Sequence, residues 1–301
     1  MKVLVYGSLN IDLIFSVDHI VKPGETIASG ALSRGAGGKG ANQAAALAKA
    51  GMQVYLAGKI GADGSFLTEL LRSYGVNTDH ITVCGDATGQ ALIQVDKKGQ
   101  NSIVLYSGGN GAIRVEEIEK VLANFGSGDT LLLQNEINCT ADIMRGAKKR
   151  GLRICLNPSP LDEKALRLPL DLVDVFFVNE IEGAALAAAG EDRQDYGAIL
   201  DLLARRFPSA EIILTVGKEG AYYGRGEYRA KGEITETPVV DTTGAGDTFT
   251  GYFIAARYRD FSVEDSLGLA CKAASIAVSR KGAMEAIPLW EELNAGKIHA
   301  R

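Results

Sequence analysis

The sequence predicts an α/β protein: a doubly wound, mostly parallel sheet with a small antiparallel sheet set apart from it. Three observations predict this. Short apolar runs of strand length recur along the chain, stretches of helical length separate most of them, and two segments of alternating polarity interrupt the pattern. Parallel strands joined by helices are buried on both faces and read as continuous apolar runs, whereas strands with one wet face alternate.

The buried strands are expected at Lys2–Tyr6, Val54–Ile60, Thr130–Gln134, Arg153–Leu156, Val175–Val178 and Ile212–Val216. Helices are expected at Gly40–Ala50, Phe66–Tyr74, Val115–Ala123, Ala141–Arg150, Glu180–Ala189 and Tyr196–Phe207. Gly51, Gly75, Gly151 and Gly190 follow four of these helices, where a left-handed closing residue belongs. The C-terminal region reads as helix over Ala245–Tyr258 and Val263–Val278, with a last piece near Trp290. Ile11–Leu32 and Thr88–Ser107 break the alternation. The second, "TGQALIQVDKKGQNSIVLYSG", has a hairpin pattern turning at Lys97-Lys98-Gly99. A half-exposed sheet of this kind needs a ligand or a partner copy to cover it.

The chain has 301 residues, 46% of them apolar and 23% charged, which suits one large α/β domain. A net charge of −5 without a Lys/Arg run argues against a nucleic-acid groove. Cys84, Cys139, Cys155 and Cys271 form no C-x-x-C and have no metal spacing with the three histidines, so a reducing, cytoplasmic setting is expected. The N-terminus, "MKVLVYGSLNIDLI", reads as a strand with an acid close behind it and lacks a signal-peptide pattern. No stretch reaches the ~18 apolar residues of a membrane span. His19, His80 and His299 show no partner in the sequence and read as surface or structural residues. The Asn138-Cys139-Thr140 sequon carries no weight without a secretory context, and "KPGET" at Lys22–Thr26 reads as a structural turn.

Two glycine-rich stretches carry the chemistry. In "GAGGKGANQAAA", Gly35, Gly37 and Gly40 satisfy G-x-G-x-x-G formally. A dinucleotide fingerprint, however, should follow the first strand tightly and have an acid about 20 residues on. Here the first strand ends far upstream and "YLAGKI" supplies no acid. A P-loop fails too, because Gly40 follows Lys39 and Ser33 stands where the leading glycine belongs. What remains is a glycine turn opening an Ala-rich helix, with Lys39, Asn42 and Gln43 in its first turn. It is either a structural entry with a solvated lysine or a polar pocket floor. Upstream, Asn10 and Asp12 follow the first strand at i and i+2, on the same side. They form either a turn leaving the strand or a carboxylate and a carboxamide placed to hold a vicinal diol at the ligand-binding end of an α/β sheet.

The other stretch, "VVDTTGAGDTFTGYFIAAR", sets Gly244-Ala245-Gly246 before Asp247 at a helix start. The N–H groups and the dipole of a helix start attract anions. Asp247 is either a helix-cap acid or a general base beside an anion cradle.

Taken in order, "SLNIDLIFSVDHIVKPGET", "GGKGANQAA", "GADG", "TGQALIQVD", "LNPSP", "VNEIE", "VDTTGAGDTFTG" and "AVSRKGA" resemble the PfkB-type (ribokinase-family) carbohydrate kinases over nearly the whole chain. The resemblance implies one catalytic domain over 1–301 with a β-sheet lid from about 11–34 and 88–107. It also implies ATP-dependent transfer to a sugar hydroxymethyl, with a pentose, D-ribose first, as acceptor. Asp247 would be the base, and Gly244, Ala245, Gly246 and the Asp247 backbone the anion hole. Asn10, Asp12, Gly38, Lys39, Asn42 and Glu136 would hold the sugar. Asn179 and Glu182 would organise Mg²⁺ and phosphates, largely through water, and Thr215 and Gly217 would line the nucleotide site. Asp241, the Thr243 carbonyl and main-chain oxygens of Ala277, Arg280 and Gly282 would hold an activating K⁺, although Ala286 stands where family members often place a contributing serine. A homodimer through the lid strands is implied as well. The alternatives are a kinase for deoxyribose, fructose, a keto-deoxy sugar acid or a nucleoside, and a non-catalytic sugar-binding regulator. The regulator would be expected to have lost Asp247 or the glycines. A sugar acid would call for an arginine, for which Arg34 is nearest, and a nucleoside for stacking aromatics, of which the lid offers only Phe15 and Tyr106.

Overall fold

A computed structural model describes residues 1–188 and 195–293. Its strands are β1 Val3–Tyr6, β2 Asn10–Ser16, β3 Ala31–Gly37, β4 Val54–Ile60, β5 Asn77–Val83, β6 Gly89–Val95, β7 Asn101–Tyr106, β8 Thr130–Gln134, β9 Arg153–Asn157, β10 Val175–Asn179, β11 Glu211–Thr215, β12 Ala221–Arg225 and β13 Tyr228–Gly232. Its helices are α1 Lys39–Lys49, α2 Ser65–Ser73, α3 Val115–Leu122, α4 Thr140–Lys149, α5 Glu180–Leu186, α6 Tyr196–Arg206, α7 Ala245–Tyr258 and α8 Val263–Val278.

The large sheet runs β13-β12-β11-β10-β9-β8-β1-β4-β5. Every pair from β11 to β5 is parallel, and only β12 and β13 add antiparallel pairings. Alternate residues of each strand feed two cores. Val3, Val5, Leu132 and Phe177 pack under α1, α2, α7 and α8, while Leu4, Tyr6, Leu131 and Phe176 pack under α3, α4, α5 and α6. The doubly wound class is therefore as the sequence predicts.

The chain moves from β1 to β4 and β5 on one side, then crosses back to β8 and continues to β11 on the other. A crevice opens at the C-terminal ends of strands where the winding reverses, and ligands of open α/β sheets bind there. Residues following β1, β8, β9, β10 and β11 converge on it.

The second sheet runs β3-β2-β6-β7. Its outer pairs are antiparallel, but β2 and β6 are parallel over seven residues, Asn10–Ser16 against Gly89–Val95. The sheet is thus mixed, where the sequence suggested an antiparallel one. The reason is topological: β2 leaves the end of β1 and β6 follows β5, so both depart from the same edge of the parallel sheet in the same direction. The β6–β7 hairpin turns where expected, with Gly99 N–H donating to Asp96 O at 3.0 Å. β5, β12 and β13 were not expected. The end of the helix at Ala189, its closing Gly190, and His299 lie outside the described residues. No described helix is long and apolar enough to cross a membrane.

Candidate active site

The glycine turn before α1 packs on the end of β1. Gly38 has φ 95°, which L side chains rarely adopt, and an added Cβ would lie 2.8 Å from Ser8 O. Ala41 N–H donates to Ser8 O, and Gly40 N–H to Ser8 Oγ. Ser8 Oγ donates in turn to Glu136 Oε2, which also accepts Lys39 N–H at 3.1 Å. Glu136 lies just past β8, so one carboxylate ties the glycine turn to the far side of the crevice.

Asp12 on β2 pairs with Gly35 and leans its carboxylate over Gly37, and burial pushes its carboxyl up to about 7, aided by the Glu136 and Glu285 carboxylates. Asn10 is buried, and its Oδ1 accepts Asn110 Nδ2 at 2.7 Å. Asn110 also accepts Leu9 N–H, so it clamps the β1–β2 link and sets the Asn10 amide. Asn10, Asn110, Glu136, Asn135, Tyr106 and Asp162 help line a mixed polar cavity of about 430 Å³.

Asp247 sits in the first turn of α7 and is 7% exposed. Its Oδ2 accepts Asn42 Nδ2 at 3.0 Å and its Oδ1 accepts Gln43 Nε2 at 2.9 Å. Gly244 caps the helix at φ 72° and supplies no side-chain cap bond. A Cβ on Gly246 would meet no protein atom within 4 Å, so a side chain there would project into open space. That space is a cavity of about 230 Å³ shared by Lys39, Asn157, Asn179, Glu182, Thr215 and Asp247. Burial lowers the Lys39 ammonium pKa, but the Asp247, Glu136 and Glu182 carboxylates outweigh it, and the group is held above the usual lysine range. Asn42 Oδ1 is buried with no partner among the described residues.

Thr215, Thr242, Ala245 and Gly246 also border a mostly apolar cavity of about 400 Å³ walled by Val239, Phe249, Ala274 and Val278 and floored by Gly217. A polar sugar-sized cavity, a charged central one and an apolar one thus follow each other along the crevice.

Asn179 and Glu182 form a capping box on α5. Glu182 N–H donates to Asn179 Oδ1 at 2.8 Å, and Asn179 N–H to Glu182 Oε2 at 3.2 Å. The spacing that suggested a metal-organising pair therefore also has a local structural role. Among the described residues no cluster of His, Cys, Asp or Glu could hold a metal by itself. Asn179 and Glu182 line the charged cavity, and one carboxylate with an amide oxygen is a donor set that Mg²⁺ takes together with substrate phosphates.

Asp241 joins two loops. Its Oδ1 accepts the N–H and O–H of Thr243, its Oδ2 accepts Gly282 N–H at 3.0 Å, and its own N–H donates to Val278 O. Although burial raises its pKa, these donors and Lys281 hold the carboxyl below the usual range. Arg280 N–H donates to Ala277 O, closing the turn after α8, and the Arg280 side chain reaches Glu292. Asp241, Thr243 and Gly282 thus meet in one joint, and the Ala277–Arg280 turn adjoins it through Val278.

Sequence reasoning assigned no role to Ser8, Gln134, Asn110 or Asn157, and noted Gln43 without one. The signal for Gln43 was its place in an otherwise alanine-filled helix. The others meet the site across more than 90 residues of chain, beyond any local pattern. Arg34 donates to Asp63 O and lies over the Phe66 ring. His19 proves to pair with Glu25 at 2.9 Å. Asn138 exchanges hydrogen bonds with the Ile113 backbone.

The family model for pfkB family carbohydrate kinases matches residues 1–290. The chain belongs to that family. It is a sugar kinase, and its relatives place it near the family's pentose-phosphorylating members. It is 35% identical over 300 residues to the ribokinase of Haemophilus influenzae, covering 96% of this chain and 95% of that protein. It is 32% identical over 307 residues to the deoxyribokinase of Salmonella typhi, covering 98% of each. Arabidopsis thaliana ribokinase, solved in complex with ribose and ATP, superposes with a TM-score of 0.84 at 30% identity over 97% of each chain.

Proposed function

We propose that this kinase moves the γ-phosphoryl group of MgATP to the primary hydroxyl of D-ribose, giving ribose 5-phosphate. One observation carries the reading. A buried carboxylate, Asp247, is held by Asn42 and Gln43 at a helix N-terminus and lines a charged cavity that shares Thr215, Ala245 and Gly246 with an apolar one. In this reading the polar side takes the sugar. Asp12 accepts two vicinal hydroxyls, and Asn10, Gly38, Lys39, Asn42 and Glu136 supply the remaining contacts. The apolar side takes the nucleotide against Thr215 and Gly217.

Asp247 takes the proton of the primary hydroxyl as its oxygen attacks phosphorus. The N–H groups of Gly244 through Asp247 and the α7 dipole meet the charge on the transferring phosphoryl oxygens. Lys39 adds a fixed positive charge. Asn179 and Glu182 would hold Mg²⁺ with ATP, where it would neutralise phosphate charge. Asp241 and its neighbouring carbonyls would hold a K⁺, which would stiffen the loop that presents the α7 N-terminus. The four-stranded sheet closes over the sugar and keeps water from the phosphoryl group. Its outer strand β7 leaves Ile103, Val104 and Leu105 exposed, which fits pairing with a second copy. Sedimentation at micromolar protein is expected to show a dimer, and a monomer alone would contradict that pairing.

Deoxyribose is the second reading, favoured by the deoxyribokinase relative. Asp12 separates the two, because an acceptor built for two hydroxyls is left half satisfied by a sugar lacking one. The test is a panel of pentoses, hexoses, sugar acids and nucleosides with MgATP, with and without K⁺. The highest kcat/KM is expected for ribose, and a higher value for deoxyribose would move the assignment to that sugar.

A further inference from the structure

We infer that Gln43 is a positioning residue for phosphoryl transfer, and that Gln134 acts through it by fixing which end of its amide faces Asp247. The inference rests on the reading of Asp247 as the base.

Gln43 is fully buried on α1, among alanines. A buried carboxamide is costly unless its donors and acceptor are used. Here all are. Nε2 donates to Asp247 Oδ1 at 2.9 Å and to Asn157 Oδ1 at 3.1 Å. Oε1 accepts Gln134 Nε2 at 2.6 Å. Asn157 is set in turn by donating its Nδ2 to Phe177 O at 2.9 Å. Turning the Gln43 amide over would place its oxygen against two acceptor oxygens and its nitrogen against a donor, so one orientation remains.

Gln134 is placed deliberately. It ends β8, its Oε1 has no partner among the described residues, and a Cβ on Gly7 would lie 2.3 Å from that oxygen. The same Cβ would lie 2.6 Å from Gly40 Cα, so Gly7 lets α1 approach β1 closely beside an amide whose bond is spent on Gln43. Asn42 holds the other Asp247 oxygen at 3.0 Å. With one donor on each oxygen, the Asp247 carboxylate cannot rotate toward Lys39, its cationic neighbour in the cavity. Glu182 faces the same space. The carboxylate stays aimed where a sugar hydroxyl would lie, and misplacement of a reacting group by about 1 Å can cost ~10²-fold in rate.

The experiment is a double-mutant cycle of Gln43→Met and Gln134→Met, read as kcat, sugar and ATP KM, and sugar affinity by calorimetry. Gln43→Met is expected to lower kcat about 10- to 100-fold with both KM values within about threefold of wild type. Gln134→Met is expected to lower kcat less, and to add nothing in the Gln43→Met background. Wild-type kcat in Gln43→Met, equal losses of kcat and substrate affinity, or additive effects in the double variant would each overturn the inference. Should Gln43→Met fail to fold, a folded Gln134→Met protein with wild-type kcat overturns the relay alone. Asp247→Asn run alongside separates the two claims. If it turns over normally, the base assignment fails. If it is inactive while Gln43→Met is normal, only the positioning role fails.

Discussion

Gly37 leaves the space that the Asp12 carboxylate occupies: a Cβ at residue 37 would lie 2.2 Å from Asp12 Oδ2. The two residues sit on neighbouring strands, so the glycine of β3 lets the acid of β2 fold down toward the crevice. Burial there, together with the charges of Glu136 and Glu285, pushes the Asp12 carboxyl up to about 7.

That shift has a definite sign. In the unfolded chain an aspartate titrates near 4. The stability this group contributes is therefore complete below about pH 4 and lost as pH rises through about 7, where the folded state must bear a buried charge. Sugar hydroxyls need the ionised form as acceptor. The sugar KM is expected to fall about tenfold between roughly pH 6 and pH 8, following the ionised fraction. Asp12→Asn should raise KM, abolish that pH dependence, and gain heat stability relative to wild type at pH 8 but not at pH 4. Steady-state kinetics and thermal melts across pH check this, and a wild-type KM flat in pH would refute it.

Gly246 supplies a second prediction. A Cβ there meets nothing in the protein and enters the space beside Asp247. Gly246→Val is expected to fold with a melting temperature near or slightly above that of wild type, because valine has the higher helix propensity by less than about 1 kcal/mol. Its turnover should nonetheless fall steeply, by about 10²-fold or more, since the phosphoryl oxygens can no longer approach the backbone N–H groups. A folded variant with wild-type kcat would dismiss the cradle.

Asp241 accepts two hydrogen bonds from Thr243 within the loop before α7 and one from Gly282 N–H, which ties that loop to the turn after α8. Asp241→Ala is expected to remove stimulation by K⁺ and to lower kcat in K⁺ by about tenfold, a coupling in the usual range. Comparing wild type and variant in K⁺ and in a large organic cation checks this. Undiminished K⁺ stimulation in the variant would remove Asp241 from the cation site.

Much of this was legible in the residues. The apolar runs named β1, β4, β8, β9, β10 and β11 because burial on both faces fills their middles with consecutive apolar residues and leaves polar ones near the ends. β5 and β13 are the edge strands, where "NTDHITV" and "YRAKG" carry polar residues toward solvent and lose that signature, and β12 beside β13 is a short "AYYGR" ending on an exposed Arg225. Within the site, Asp247, Lys39 and Asn42 stood out because glycines and a helix start frame them. Gln43 and Gln134 did not, because their meaning lies in a hydrogen bond between residues 91 apart in sequence. The Asn179–Glu182 spacing was open to two readings because a capping box and a water-mediated metal shell ask for the same residues.

The central claim is that Asp247 removes the sugar proton. The measurement that reaches it most directly is the single-turnover rate of Asp247→Asn with ribose and MgATP, alongside ribose affinity by calorimetry. The account predicts a rate lower by about 10²–10⁴-fold with affinity within about threefold of wild type. A near-normal rate in a variant that binds ribose normally would contradict it.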